Sequence, residues 1–472
     1  MTWNANVIAD RKLRNERDRN IEVHDAMRSF ISTRDFRNLV VLAATINPPS
    51  GMGRPRRHSP ATFAFLYVLN MMFPSQAKME THLFSRRNWE SYRRLLHAHF
   101  PHDSLLKPGA PVPTRSVLRH WKKKVDEAFG QDLSVILFDQ AVRNSRESGI
   151  GINTGTMLNP SIQSGIFGDG VVVRPMTKYK LGDLGLNERT GVLQQRRYDP
   201  DATYYINGTG ERVYGNEFIH MSARTGAANE VFTFSIRPLR KGGKDTESSL
   251  AMSMVRAIKD RIPGMAMVHY DKAIRGKGVE EIWNMQMMPM IGVYDKTGKT
   301  TEQVPLGKKT VNGLKVDLFA YRGAVSIKGI DGKFIPLTAT KLSYIPNAGD
   351  TYRVYCEYVV PEGSHCDTRL WGGKVTQRMN SPERADFVYG EHVRAHAPGS
   401  PEWKNLYGNR SMAESVNSWM KSELLPHDRA RSLNQTHQWI DLMFGLMLRN
   451  HCSLMLYRRR TELARTASPP AA

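Results

Sequence analysis

Acidic residues are scarce in this 472-residue chain: 45 Asp and Glu stand against 67 Lys and Arg, a formal charge of +22. An excess of that size favours a polyanionic partner, either nucleic acid or an anionic membrane. Cysteine is scarcer still, with Cys356, Cys366 and Cys452 alone, which excludes a disulfide scaffold and fits a reducing cytoplasm. Cys356, His365 and Cys366 do not have a zinc spacing. No apolar run approaches the roughly 20 residues that a bilayer crossing needs. The most apolar segment, Trp439 to Tyr457, is interrupted by Arg449, Asn450 and His451. The first residues, MTWNANVIADRKLRNERDRN, lack the apolar stretch of a signal peptide. These absences leave nucleic acid as the expected partner, with no membrane, and the cytoplasm, in association with the nucleoid, as the expected location.

The texture of what is present changes along the chain. Residues 1–58 are polar and basic and end in GMGRPRRHS, an expected arm; Gly53 to Arg57 has the composition of segments that enter a DNA minor groove, or of a solvated linker. Residues 59–150 have helical patterning and are expected to form a helical DNA-binding domain. Its PTRSVLRHWKKKVDEAF segment sets Val117, Leu118, Trp121, Val125 and Phe129 at helical spacing, with Arg119, Lys122, Lys123 and Lys124 between them and Thr114 as N-cap. Residues 151–295 alternate strands and helices in the order strand, strand, strand, helix, strand, helix, strand, which predicts a mixed α/β sheet. Residues 296–402 carry TG, NG, RG and DG turn signals between short β runs and predict an all-β insertion. Residues 403–460 are expected to return to the core with two helices, and 461–472 to form a disordered tail.

Within the α/β part, IFGDGVVV places Asp169 in a strand, between two glycines that permit close approach of a backbone or a phosphate. A tight turn between two short strands is the alternative. The tripeptide YDK occurs twice. Asp271 ends an apolar strand and leads into a loop and helix, where chemistry gathers in open α/β sheets, whereas Asp295 leads into a turn-rich exit. Lys272, Arg275 and Lys277 suit phosphate contacts. Near the C-terminus, LYGNRSMAESVNSWMK carries Glu414. At 100° per residue, Tyr407 at zero sets Arg410 at about 300°, Glu414 at about 340° and Lys421 at about 320°, with Val416 and Met420 on the opposite, buried side. A solvated i,i+4 pair of Arg410 and Glu414 is the bland alternative.

The spacing Tyr407, Arg410, Glu414, Lys421 resembles the signature of a large group of bacterial insertion-sequence DDE transposases. The resemblance covers roughly residues 160 to 460 and implies a ribonuclease-H-like core interrupted by a β-rich insertion. Asp169, Asp271 and Glu414 fall in the family's order and become the expected catalytic and metal-binding triad; Arg275 stands where the group usually has an aromatic residue. An all-oxygen donor set suits two Mg²⁺ or Mn²⁺ ions rather than zinc. The resemblance further implies that Tyr407, Arg410 and Lys421 hold DNA phosphates, and that an aromatic in or near the insertion, Trp371 or Trp403, stacks on a flipped base. It implies double-stranded terminal-repeat and target DNA as partners, with a homodimer at synapsis. The implied reaction is cleavage at the transposon end followed by 3′-hydroxyl strand transfer. The competing expectations are a non-catalytic or domesticated DNA-binding protein and a structure-specific nuclease on the same core.

Overall fold

The computed structural model describes residues 23–46, 57–84, 86–206, 210–227, 229–293, 303–347, 351–382 and 387–467. Its centre is a mixed sheet. The long strand β1 (Gly165–Val173) is followed by a small hairpin of β2 (Leu184–Leu186) and β3 (Leu193–Gln195), then β4 (Thr203–Ile206), β5 (Arg212–Arg224) and β6 (Val231–Leu239). After the helix Glu247–Arg261 comes β7 (Met267–Tyr270), and after the helix Gly276–Asn284 comes β8 (Met288–Ile291). β5 lies antiparallel between β6 and β1, β7 runs parallel to β1, and β8 runs parallel to β7. The expected strand and helix alternation is therefore present. The β2–β3 hairpin and β4 are additions that the sequence pattern did not signal.

Strand alternation divides the packing. Phe167, Val171 and Val173 of β1 join one apolar cluster, and Ile166 joins the other. The first cluster runs from Ala26 through Leu137, includes Ala413, Val416 and Met420, and takes in the helix Gln435–Ala467 down to Cys452. The second holds the helices Glu247–Arg261 and Gly276–Asn284 and the base of the insertion.

The N-terminal helices are thus one layer of the common core. Val23–Ile31 and Arg34–Thr45 are helices that contribute Met27, Phe30 and Leu39 to it, so the segment expected as a basic arm is in part structural. Of the minor-groove-like Gly53–Arg57, all but Arg57 lies outside the described residues. The helix Pro60–Met71 starts on a Ser59 cap with Pro60 in its first turn and is buried along nearly its whole length. The single helix expected from Arg115 to Phe129 is two. Arg115–Lys122 ends, and Asp126, whose carboxylate accepts from the Phe129 amide, caps a new helix, Glu127–Glu147. Thr114 does hold the N-cap position, with its hydroxyl on the Ser116 side chain rather than on a helix amide. Lys122, one of the basic residues set between the apolar positions, is buried and donates to Asp441 Oδ1 at 2.6 Å; Ser432 Oγ donates to Asp441 Oδ2, also at 2.6 Å.

Within the segment expected as an all-β insertion, a four-stranded sheet and a three-stranded one lie between Gln303 and Arg378; beyond them the range is helical in part, with Tyr389–His392 and the start of Pro401–Tyr407. The last helix continues to Ala467, past the expected boundary at residue 460; residues 468–472 lie outside the described ones. Among the described residues, no helix is long and apolar enough to cross a membrane.

Candidate functional site

Asp169 occupies the middle of β1, opposite His220 of β5. The parallel register pairs Phe167 with His269. Extended by two residues, that register would bring Asp271 beside Asp169, and the Asp271 charge does act on Asp169. Asp271 follows the last residue of β7, and its Oδ1 accepts from the Ala273 amide at 2.8 Å, which closes the turn that leads into the next helix.

The two glycines around Asp169 have distinct causes. A Cβ on Gly168 would stand 2.5 Å from the His220 carbonyl and 2.4 Å from Met221 Sδ, so close pairing with β5 requires glycine there. A Cβ on Gly170 would stand 3.2 Å from Glu217 Oε1 and 3.4 Å from Glu247 Oε1. Neither glutamate was expected from the sequence. Both lie toward the face to which Gly170 points, opposite that of Asp169. Tyr270 donates its hydroxyl to Glu247 Oε1 at 2.9 Å.

The third expected carboxylate arrives on a composite helical segment. Pro401–Tyr407 is α-helical, Gly408–Arg410 is a 3₁₀ turn, Ser411–Trp419 is α-helical, and Met420–Leu424 is a π turn. A uniform 100° wheel therefore does not describe the Tyr407–Lys421 stripe, because the pitch changes at both ends. The buried side is as expected, with Val416 and Met420 in the core. Glu414 is exposed and pairs with Arg410 at 3.8 Å. The segment is anchored at two points. Arg224 at the end of β5 donates to Asn409 Oδ1 at 2.9 Å. Asn417, nearly one turn beyond Glu414, donates to Asp169 Oδ2 at 2.9 Å and to the Gly170 carbonyl at 3.1 Å. Its own Oδ1 lies 3.0 Å from His220 Nε2. Burial holds His220 at about 3, hence neutral at neutral pH. The three contacts then require Nε2–H to donate to Asn417, which fixes the carboxamide so that its NH₂ faces Asp169. Asn417 and His220 escaped the sequence reading; a polar residue one turn from Glu414 was the available signal.

The electrostatics describe a shared acidic neighbourhood. Burial, then the Asp271 charge, pushes Asp169 up to about 6; Arg410 and the Gly170 amide oppose this, and Glu414 adds to it. Burial, then Asp169 and Asp271, pushes Glu217 up to about 7. Glu247 also rises to about 7, through burial first and the Asp271 charge second. Like charges that share a buried site raise one another in this way, and Arg410 offsets the rise only in part at Asp169. Raised carboxylates favour the folded state fully below their ordinary range and lose that contribution as pH rises through their folded values. In metal-free buffer the thermal midpoint is therefore expected to fall between pH 5 and pH 8, and Glu247→Gln to flatten the fall. A scanning-fluorimetry series across that range checks it; equal slopes in both proteins would contradict it.

The remaining expected residues are dispersed around this centre. A Cβ on Gly292, just after β8, would lie 3.4 Å from Lys272 Cε and 3.9 Å from the Tyr407 hydroxyl, so these two side chains share one rim. Arg275 forms an ion pair with Glu391 at 3.4 Å, and Lys421 is half-buried in the π turn. Trp403 is buried and its ring stacks on Tyr407 at 5.1 Å, so it serves as packing for Tyr407 and not as an open platform. Trp371 is 37% exposed in the insertion, with its indole N–H on the Ser364 carbonyl at 3.0 Å. Among the described residues, no three His, Cys, Asp or Glu side chains already form a metal-holding group. The donor chemistry nevertheless fits a hard divalent cation, because Asp169 and Asp271 offer only oxygen. A scan against known protein-family models finds no match, and a search of curated proteins finds none at a significant level.

Proposed function

We propose that the chain is a DNA transposase of the DDE type, with a ribonuclease-H-like core, that cuts transposon-end DNA and joins the freed 3′-hydroxyl to target DNA. The observation that carries this reading is the docking of the Glu414 helix on β1. Asn417 binds Asp169 directly, and Arg410 and Glu414 act on the Asp169 charge, across almost 250 residues of sequence. The strand order β6-β5-β1-β7-β8, with antiparallel pairs on one side of β1 and parallel pairs on the other, supports the core assignment. The charge of +22 supports DNA as the partner.

In this reading Asp169, Asp271 and Glu414 would hold Mg²⁺ or Mn²⁺. The bound cations supply Lewis-acid polarisation of the scissile phosphodiester. Arg410, together with Tyr407, Lys272 and Lys421, orients backbone phosphates beside the cut. Asn417 is a positioning residue that keeps Asp169 aimed while the strand stays rigid. A homodimer would bring two ends together.

The test is a nicking and joining assay on DNA taken from both flanks of the gene, with Mg²⁺ present or chelated. Metal-dependent nicking with joining supports the proposal, and nicking without joining identifies a nuclease. A second reading, a DNA-binding protein that does not cut, draws on the exposure of Glu414 and on the lack of a preformed three-ligand group among the described residues. Tight binding with neither nicking nor joining selects it.

A further inference from the structure

The hairpin of β2 and β3 stands apart from both apolar clusters. Its antiparallel register pairs Leu186 with Leu193 and Leu184 with Gln195, so the three leucines share one face of the ribbon. Leu184, Leu186 and Leu193 are 56%, 62% and 63% exposed, and none of them joins either cluster of the core. Arg196 crosses the opposite face. A Cβ on Gly185 would stand 2.6 Å from its Nε, which donates to the Leu184 carbonyl at 3.2 Å. Its guanidinium lies over the Tyr179 ring at 4.6 Å. The ribbon is thus apolar on one side and basic on the other.

Its setting is basic as well. Residues 174–197 hold six Lys and Arg against Asp183 and Glu188 alone. Lys180 donates to the Tyr204 hydroxyl, and its ammonium group lies over the rings of Tyr204 in β4 and Tyr214 in β5 at 4.9 and 5.2 Å. That clasp ties the foot of the ribbon to the central sheet. At the same foot, Met176 and Arg197 line a cleft that also carries Arg119 and Lys123, exposed and four residues apart on the helix Arg115–Lys122 and just past its end. At the tip, the Asn187 carbonyl accepts from the Thr190 and Gly191 amides at 3.1 and 2.8 Å, which closes the turn and leaves Arg189 exposed.

We infer that this ribbon is a DNA-bending wedge. Its leucine face enters the minor groove of a duplex and leans on a partly unstacked base step, while the cations at its foot hold the flanking phosphates. Every base stays paired within the helix. An apolar patch carried on a projection marks an interaction surface, and the charge around this one selects a polyanion. A second copy of the chain, itself at +22, would instead bring like charges together around the leucines. Leucine offers base edges no hydrogen bond, so in the major groove it would leave their donors and acceptors unpaired. The faces of bases at an opened minor-groove step are apolar and match it. The inference rests on duplex DNA as the partner in the function proposed above, and on no step of cleavage, because binding here needs neither metal nor Asp169.

Energy transfer between dyes at the two ends of a duplex taken from a flank of the gene, measured in EDTA, tests it. A duplex of about 25 base pairs is nearly straight alone, because the persistence length of DNA is about 150 base pairs. Binding of the wild type is expected to raise the transfer by the amount that a bend of about 20–90° requires. Leu184→Ser/Leu186→Ser/Leu193→Ser is expected to bind about tenfold more weakly and, at saturation, to leave the duplex straight. The three positions are exposed, so this variant should melt with the wild type. Uracil in place of thymine strips methyl groups from the major groove alone and is expected to leave the bend unchanged; this arm needs no variant. A straight duplex under the bound wild type, a bend kept by the leucine variant, or a bend lost with uracil would overturn the wedge and leave DNA as the partner. So would a dimer of the free protein that the leucine variant dissolves, seen by light scattering. A wild type that binds no duplex would overturn both this inference and the function proposed above.

Discussion

Asp169→Asn is expected to reduce Mg²⁺-dependent nicking by about 10³-fold or more, the scale of several kcal/mol of metal-borne stabilisation. The same protein should be at least as stable as the wild type at pH 8. The substitution keeps an oxygen that accepts from Asn417 and removes a charge that burial and Asp271 disfavour. DNA affinity should be retained, because the basic surface is unchanged. This combination separates loss of chemistry from loss of structure. Nicking at the wild-type rate would remove Asp169 from the site and with it the transposase reading. A fall in the melting temperature at pH 8 would instead contradict the electrostatic description.

The second large effect concerns stability. Lys122→Met leaves the Asp441 carboxylate buried without its bonded cation, and breaking a buried pair from one side costs about 3–5 kcal/mol. Asp441→Leu alone should cost a similar amount by leaving the ammonium group unpaired. The double variant Lys122→Met/Asp441→Leu is expected to recover most of the loss, since apolar replacement of a whole buried pair is often neutral. Urea denaturation of the four proteins measures the cycle. Single variants as stable as the wild type would show that the pair is solvated in solution.

The sequence revealed the elements better than it revealed their partners. Alternation in EVFTFSIRP and the apolar runs before Asp271 and Asp295 marked core strands, and all three lie in the sheet within a few residues of their expected bounds; Asp295 itself lies outside the described residues. Asp169 and Asp271 stood out because a carboxylate within or at the end of an apolar strand is costly, a local signal. Glu217 and Glu247 gave no such signal. Each sits among ordinary polar neighbours, and they acquire meaning when the sheet sets both beside Gly170. The burial of Lys122 was not legible for the same reason, since its partner is 319 residues away. The stripe from Tyr407 to Lys421 was legible in its types and order, but its geometry depends on a 3₁₀ turn and a π turn that no residue periodicity announces.

The layer shared by the N-terminal helices and the final helix has a consequence for synthesis. Met27, Phe30, Tyr67 and Phe63 emerge early from the ribosome, whereas Trp439, Phe444 and Met447, which share their cluster, are made last. The early helices must therefore wait through some three hundred residues of translation with part of their apolar surface uncovered, a contact pattern that folds slowly and invites premature association. A chain released before Trp439 would lack the helix that closes this layer. Premature stop codons late in the gene are thus expected to give aggregated protein in place of a shortened DNA binder.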